Sequence, residues 1–116
     1  MGTVSGEKGK RGEDKAVSYL MSLGYKILER NYHVRAGEID IVARDGDEIV
    51  FVEVKWRGSL AFGSAKESVN YMKLKRIVMA AGKFCQKYGL QASPQRIDVV
   101  SIDNENIEHI KGVSFD

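Results

Sequence analysis

The segment from Gly37 to Lys55 constrains the fold of this chain most strongly, because it reads as two β-strands joined by a tight turn. Its sequence is GEIDIVARDGDEIVFVEVK, in which Asp45-Gly46 between two β-branched runs is the strongest short-range signal for a hairpin. Asp40 interrupts the first apolar strand, and Glu53 and Lys55 interrupt the second. Ionisable residues are rare inside such strands unless they are paired, bind a metal or have a function. The hairpin therefore predicts a candidate site as well as the centre of a sheet.

Length and composition are typical of one soluble domain that spans residues 1–116. The chain has 43% apolar and 29% charged residues, which is ordinary for a globular protein. A single cysteine, Cys85, excludes an intramolecular disulfide framework and a cysteine-based zinc site. No apolar run approaches the roughly 20 residues that span a bilayer, and no signal peptide is recognisable. We expect a cytoplasmic protein without a membrane partner.

Charge is distributed unevenly along the chain, although the net charge is only +2. Residues 36–55 carry two Lys/Arg against six Asp/Glu, whereas residues 56–97 carry eight against one. An acidic centre next to a basic segment suits a metal-binding pocket that faces a polyanion. The alternative is that lysines simply cover the solvated faces of helices.

Periodicity predicts the element order α-β-β-β-α-β-β. A helix is expected from about Glu13 to Leu23, strands over residues 25–32 and on both sides of the central turn, and a loop over residues 33–37. A long helix is expected over residues 68–88, and two strands over 96–103 and 107–110. The predicted core stripe of the long helix consists of Leu74, Ile77, Val78, Ala81, Phe84, Cys85 and Tyr88. A loop that includes Trp56 and Phe62 either stacks on a base or is anchored by these rings.

The charged residues of the hairpin can form a site if the strand register brings them together. Glu53 and Lys55 share one face of their strand, and the hairpin can place Asp40 on the same face. Glu13 lies on the apolar stripe of the first helix; it either points into this site or is a first-turn carboxylate favoured by the helix dipole. Three carboxylates and one ammonium leave two negative charges, which match one Mg2+ or Mn2+. The alternative is an ion pair between Lys55 and one acid.

The chain resembles the restriction-endonuclease-like, PD-(D/E)xK, nuclease superfamily and, within it, the YraN-like family of small bacterial proteins. It is also similar in plan to archaeal Holliday junction resolvases. Ile39 stands where the superfamily pattern has proline. The residues that carry the resemblance are Gly12-Glu13 with Tyr19-Leu20, Gly24-Tyr25, Arg30-Asn31, Gly37 to Asp40, Phe51 to Lys55 with Arg57, and Arg96 to Val99.

This resemblance implies an α/β fold with a central mixed sheet of about five strands flanked by helices, and often a homodimer. It implies metal ligation by Asp40 and Glu53, catalysis by Lys55 and a supporting acid at Glu13. The basic residues expected to contact nucleic acid are Arg35, Arg57, Lys73, Arg76 and Lys83.

The predicted function is a Mg2+- or Mn2+-dependent endonuclease that hydrolyses DNA, with branched or damaged DNA as candidate substrates. The first alternative is a catalytically silent nuclease-like module that binds nucleic acid. The second is a partner-binding scaffold that uses the aromatic loop around Trp56 and Phe62.

Overall fold

The central hairpin forms the middle of a five-stranded sheet in the computed structural model, which describes residues 4–56, 71–104 and 106–113, with side chains from residue 12 onward. The two helices are α1 (Val4–Ser22) and α2 (Tyr71–Tyr88). The five strands are β1 (Lys26–Val34), β2 (Gly37–Asp45), β3 (Glu48–Trp56), β4 (Gln95–Ile102) and β5 (Ile107–Ile110). This order confirms the predicted α/β class and the sequence of elements.

The sheet is mixed and its strands lie in chain order, β1-β2-β3-β4-β5. Pairs β1–β2, β2–β3 and β4–β5 are antiparallel, whereas β3 and β4 are parallel. A parallel pair needs a crossover connection, and α2 lies in this connection. Because the pair is parallel, Lys55 at the end of β3 lies opposite Ser101 at the end of β4.

The predicted hairpin is confirmed, but its turn is one residue later than the sequence indicated. Asp45 pairs with Glu48, so Gly46 and Asp47 are the two central residues. Gly46 has φ of 62°, a left-handed conformation that glycine adopts without steric cost. Arg96 forms ion pairs with both Asp45 and Glu48, which stabilises the closing pair of the turn.

The helices cover opposite faces of the sheet, since alternate side chains of the central strands enter two separate cores. In β3, for example, Phe51 packs with α2, whereas its neighbours Val50 and Val52 pack with α1. Each fully buried apolar side chain contributes about 1.5–3 kcal/mol. The core on the α2 side consists of Tyr32, Ile39, Val42, Ile49, Phe51, Ile77, Ala80, Ala81, Phe84 and Cys85. The core on the α1 side consists of Ala16, Leu20, Tyr25, Ile41, Ala43, Val50, Val52, Val100 and Ile102.

One glycine permits the close approach of β2 to α2. A side chain at Gly37 would clash with the backbone carbonyl of Arg76. The start of β2 therefore lies directly against α2, which places the β1–β2 turn at Arg35-Ala36 beside this helix.

Several predicted boundaries differ from the structure. Helix α1 begins at Val4 rather than near Glu13, because the polar segment VSGEKGKR lacks the apolar periodicity on which the prediction depended. Strand β1 continues to Val34, since residues 33 and 34 pair with β2 instead of forming a loop. Val78 and Tyr88 are 40% and 48% exposed and do not belong to the core stripe, in which Ala80 is buried instead.

Two further sequence predictions concern the region after β3 and the membrane. Trp56 is the last residue of β3, whereas Phe62, the rest of the predicted loop and residues 68–70 of the predicted long helix lie outside the described residues. Within the described ranges, neither helix is both long and apolar enough to cross a bilayer.

Candidate functional site

Asp40 lies where strands β2 and β3 separate. The β2–β3 ladder runs from the turn to the pair Ile41–Val52 and does not continue to Asp40. Instead, the backbone N–H of Val54 donates a hydrogen bond of 2.8 Å to Asp40 Oδ2. The side-chain carboxylate of Asp40 thus takes the place of a backbone carbonyl as the next acceptor along the ladder. This contact places Asp40 beside the segment Glu53-Val54-Lys55, as the sequence analysis assumed.

Glu53 is the most buried carboxylate of this group, with only 4% of the residue exposed. Its Oε2 lies 3.7 Å from Lys55 Nζ and 2.5 Å from Lys73 Nζ. Lys55 comes from the same strand, whereas Lys73 comes from the first turn of α2. Lys73 was predicted as a nucleic-acid contact, but in the structure it is bonded inside the acidic site.

The pKa values of two of these residues shift towards their neutral forms. Burial, together with the negative charge of Glu53, raises the pKa of Asp40 to about 7. Burial and the neighbouring Lys73 ammonium lower the pKa of Lys55. Such shifts in adjacent groups are common where a fold maintains a chemical site, although structural ion pairs produce them as well.

Glu13 reaches the same region from α1, where only 8% of the residue is exposed. Its Oε1 accepts hydrogen bonds from Arg30 Nε at 2.8 Å and from Asn31 Nδ2 at 3.1 Å. Its negative charge also contributes to the raised pKa of Asp40, after burial and the charge of Glu53. Glu13 therefore points inward, as one of the two interpretations of the sequence proposed.

The neighbours of Glu13 were missed as site residues by sequence reasoning. Arg30 also donates to Asp14 Oδ1 at 2.5 Å, so it joins two acids of α1 to β1. Asn31 has φ of 54°, and asparagine is one of the few residues that tolerate this left-handed conformation. In the sequence, Arg30 and Asn31 resemble ordinary polar residues of an edge strand, and only the family resemblance drew attention to them.

The described part of the site is close to electrically balanced. Its three buried or half-buried carboxylates, Glu13, Asp40 and Glu53, face three cations, Arg30, Lys55 and Lys73, of which Arg30 is shared with Asp14. Of these cations, only Lys55 was counted from the sequence. The described residues contain no group of three or more acids, histidines or cysteines that could hold a metal.

Two carboxylates nevertheless fit a divalent ion by their chemistry. Asp40 and Glu53 supply the hard oxygen donors that Mg2+ and Mn2+ prefer. The raised pKa of Asp40 also means that burial and the negative charge of Glu53 outweigh the positive charge of Lys73 at this carboxylate. A divalent cation bound beside Asp40 would add positive charge there and favour the ionised carboxylate.

The other predicted nucleic-acid contacts are distributed along α2, in the β1–β2 turn and outside the described residues. Arg35 lies in the β1–β2 turn and Arg76 is exposed near the start of α2, whereas Lys83 is exposed in the second half of this helix. Arg57 falls in the range that is not described. A cavity of about 330 Å³ lies where β2 meets the first turns of α2, and its lining consists of Glu38, Met72, Lys73, Arg76 and Ile77.

Trp56 serves as an anchor in this structure. A Cβ atom at Gly12 would lie 3.1 Å from Trp56 Cε3, so the indole ring packs directly on the backbone of α1. Lys15 Nζ lies 5.7 Å from the centre of the ring. Of the two alternatives for Trp56, anchoring is therefore the one that the contacts support.

A second polar cluster joins β4 and β5 to α1, and sequence reasoning did not predict it. Asp98 is fully buried and accepts hydrogen bonds from Arg96 Nε at 3.0 Å and from the Gly112 N–H at 3.1 Å. His109 Nε2 lies 2.7 Å from Asp98, and Tyr19 Oη lies 2.9 Å from His109 Nδ1. Burial alone would raise the pKa of Asp98, but the hydrogen bonds from His109 and Arg96 lower it below its usual value. We interpret this cluster as a structural network.

Fold and site together define a small α/β protein with a carboxylate–lysine cluster at one end of a mixed sheet. The chain belongs to the family described as Uncharacterised protein family UPF0102, whose model matches residues 12–102. This match confirms the predicted YraN-like family, and the matched range contains all four predicted catalytic residues.

Relatives in this family align with the chain over almost its full length. A UPF0102 protein of Persephonella marina is 48% identical over 109 residues, which cover 94% of this chain and 93% of that protein. One of Clostridioides difficile is 47% identical, with 90% and 93% covered, and one of Thermodesulfovibrio yellowstonii is 44% identical, with 94% and 96% covered.

Proposed function

We propose that this protein is a divalent-metal-dependent endonuclease that hydrolyses phosphodiester bonds of DNA. The observation that carries the proposal is the convergence of Asp40, Glu53 and Lys55 where β2 separates from β3. Glu13 is also buried on α1, and its charge contributes to the raised pKa of Asp40. The superfamily resemblance agrees with this arrangement, residue by residue.

Asp40 and Glu53 are the residues that would hold Mg2+ or Mn2+. A bound divalent ion would supply the positive charge that polarises a phosphate and stabilises the charge that develops during its hydrolysis. Glu13 would strengthen the site indirectly, because Arg30 and Asn31 fix its carboxylate and its charge acts on Asp40.

Lys55 is the residue to which we assign the principal chemical role. In hydrolysis, a water oxygen forms a new bond to phosphorus, one ester P–O bond breaks, and the departing sugar oxygen takes up a proton. An ammonium group beside the reacting phosphate stabilises the negative charge that develops on its oxygens. Because the pKa of Lys55 is lowered, this residue can also exchange a proton closer to neutral pH than an ordinary lysine.

Exposed basic residues would bring DNA to this site. Arg76 and Lys83 are exposed on α2, and Arg35 lies in the turn that Gly37 holds against this helix. DNA carries one negative charge per 1.7 Å of helix axis, so several such contacts give strong, salt-dependent binding. Arg76 of this surface lines the same cavity as Lys73, which is paired with Glu53.

A cleavage assay tests the proposal. Labelled four-way junction, flap and duplex DNA would be incubated with Mg2+ or Mn2+ and either wild-type protein or Lys55→Ala. Lys26→Ala is a matched control, since Lys26 is an exposed lysine at the opposite end of the β1–β2 ladder. We expect cleavage of at least one substrate by the wild type and the control, and a loss of at least 100-fold in Lys55→Ala. No cleavage of any substrate, or equal cleavage by Lys55→Ala, would contradict the proposal.

A catalytically silent nuclease-like module that binds nucleic acid is the second candidate. The cations of the described site favour it, because Lys55 and Lys73 already pair with Glu53, the carboxylate that a metal would need. This candidate predicts DNA binding with a salt slope of about −0.9 per phosphate contacted, and binding unchanged by EDTA or by Glu53→Gln. Absent or salt-insensitive binding would contradict both nucleic-acid functions.

Three expectations about the whole protein stay predictions. They are a single domain over residues 1–116, a cytoplasmic location and a homodimer. Sedimentation equilibrium, which gives the mass in solution against 12.9 kDa for one chain, would test the homodimer.

A further inference from the structure

Lys73 is the one basic residue of α2 whose described contacts lie inside the acidic site. We propose that Lys73 is a built-in counter-ion, which a divalent cation must displace from Glu53 in order to bind. The displaced ammonium group then becomes available to a DNA phosphate. This inference rests on the proposed function only in that the same carboxylates bind the metal.

The geometry at Glu53 makes the two cations competitors. Lys73 Nζ lies 2.5 Å from Glu53 Oε2, the oxygen that also faces Lys55. A divalent ion bound to that oxygen at about 2.0–2.1 Å would lie at most about 4.6 Å from the ammonium group. Because Glu53 is almost fully buried, water screens the repulsion between two such cations poorly. Lys73 and the metal therefore cannot both bind this oxygen favourably.

The charges of the described residues also indicate that Lys73 and a metal compete for Glu53. Because Arg30 is shared by Glu13 and Asp14, Lys55 and Lys73 are the described cations that balance Asp40 and Glu53. Removal of Lys73 leaves one unmatched negative charge next to Asp40 and Glu53. That charge is available to a metal only when Lys73 has left.

Lys73 lies between the acidic site and the surface of α2. Its side chain is 42% exposed, compared with 26% for Lys55 and 5% for Glu53. It is the third residue of α2, and its flexible stem lines the 330 Å³ cavity next to exposed Arg76. Rotation of the side chain into this cavity would add its charge to the proposed DNA-binding surface.

A permanent structural ion pair is the alternative role for Lys73. The α2 helix already packs on the sheet through six buried residues, which are Leu74, Ile77, Ala80, Ala81, Phe84 and Cys85. Helix docking therefore does not require this ion pair. The two roles differ in their effect on metal affinity, because a purely structural lysine would not compete with the metal.

Calorimetric titration with Mn2+ alone, without DNA, tests the inference. Lys73→Met removes the charge but keeps most of the stem, and we expect it to bind Mn2+ at least 10-fold more tightly than the wild type. Lys75→Met is the control, because Lys75 is exposed on the same helix and carries the same charge. We expect its affinity to stay within about threefold of the wild type.

A second substitution at the same position, with the opposite expected effect on Mn2+ affinity, keeps the test decisive if Lys73→Met fails to fold. Arginine binds a carboxylate through two donors, so Lys73→Arg should hold Glu53 more firmly and weaken Mn2+ binding. Two results with the methionine variants would overturn the inference: folded Lys73→Met binds Mn2+ no more tightly than the wild type, or Lys75→Met binds it as tightly as Lys73→Met. Two other results would also overturn it: Lys73→Arg does not weaken Mn2+ binding, or no variant binds Mn2+ at all.

The cleavage assay separates this inference from the proposed function. Tighter Mn2+ binding by Lys73→Met without cleavage by any protein supports the counter-ion and refutes the endonuclease. Cleavage by the wild type without tighter binding by Lys73→Met supports the endonuclease and refutes the counter-ion.

Discussion

Replacing Asp40 by asparagine should make the protein more stable at pH 8, although the substitution removes a residue of the proposed site. The carboxylate is buried beside Glu53, and its pKa is raised to about 7. Asparagine has nearly the same size and keeps an oxygen that can accept the hydrogen bond from the Val54 N–H. The substitution therefore removes mainly the negative charge.

The expected magnitude follows from the difference between the folded and unfolded pKa values. An unfolded aspartate has a pKa of about 3.9, so the folded state binds more protons than the unfolded state between about pH 4 and pH 7. The stability contributed by Asp40 is fully present below the unfolded pKa and is lost as the pH rises through the folded pKa. The slope is about 1.4 kcal/mol per pH unit and levels off near the folded pKa, so the loss between pH 5 and pH 8 is about 2.6 kcal/mol. Because Asp40 is partly exposed, we expect about 2 kcal/mol.

Urea unfolding at pH 5 and pH 8, with EDTA present, measures this difference directly. The gain in unfolding free energy from Asp40→Asn should be about 2 kcal/mol larger at pH 8 than at pH 5. Asp47→Asn is a suitable control, since Asp47 is an exposed carboxylate in the β2–β3 turn, and its effect should change by less than about 0.5 kcal/mol. An Asp40→Asn protein with the same pH dependence as the wild type, or one less stable at pH 8, would refute this reasoning.

Three further predictions, which use four substitutions, test other parts of the structure. Asp98→Asn should lower the free energy of unfolding in urea by about 3 kcal/mol, because it leaves Arg96 without its buried charged partner. A loss below about 1 kcal/mol would contradict the structural network. Gly37→Ala should lower the free energy of unfolding by about 1–3 kcal/mol, because the new side chain meets the α2 backbone. Gly82→Ala lies on an open helix surface and should raise it by up to about 1 kcal/mol in the same assay. Glu13→Gln should lower the DNA cleavage rate about 10- to 100-fold while the circular dichroism spectrum stays unchanged; an unchanged rate would remove Glu13 from the site.

Local signals in the sequence were sufficient to predict the elements and their order. The hairpin was predictable because β-branched runs, alternating burial and an Asp-Gly pair are all properties of neighbouring residues. The turn was predicted one residue too early. Asp45 pairs with Glu48 and so remains in the ladder, and Gly46 therefore takes the first central position of the turn. Likewise, the start of α1 at Val4 could not be predicted from a segment without apolar periodicity.

The site was only partly predictable, because its remaining members depend on tertiary contacts. The pattern of acids and lysine identified Glu13, Asp40, Glu53 and Lys55, and the structure places Asp40 beside the strand segment that carries Glu53 and Lys55. Glu13 is buried on α1, where its described hydrogen bonds are with Arg30 and Asn31 of β1. Helical periodicity put Lys73 on a basic face but could not show that this end of α2 lies over Glu53. Arg30 was missed as a counter-charge because its partner is 17 residues away on another element.

The most direct test of the central claim is a crystal structure of the protein soaked with Mn2+, with the ion located by anomalous scattering. We predict an anomalous peak at about 2 Å from carboxylate oxygens of Asp40 and Glu53. We also predict that Lys73 Nζ lies outside contact distance of Glu53 in that crystal. No peak at these carboxylates at millimolar Mn2+, with Lys73 still bonded to Glu53, would contradict the account.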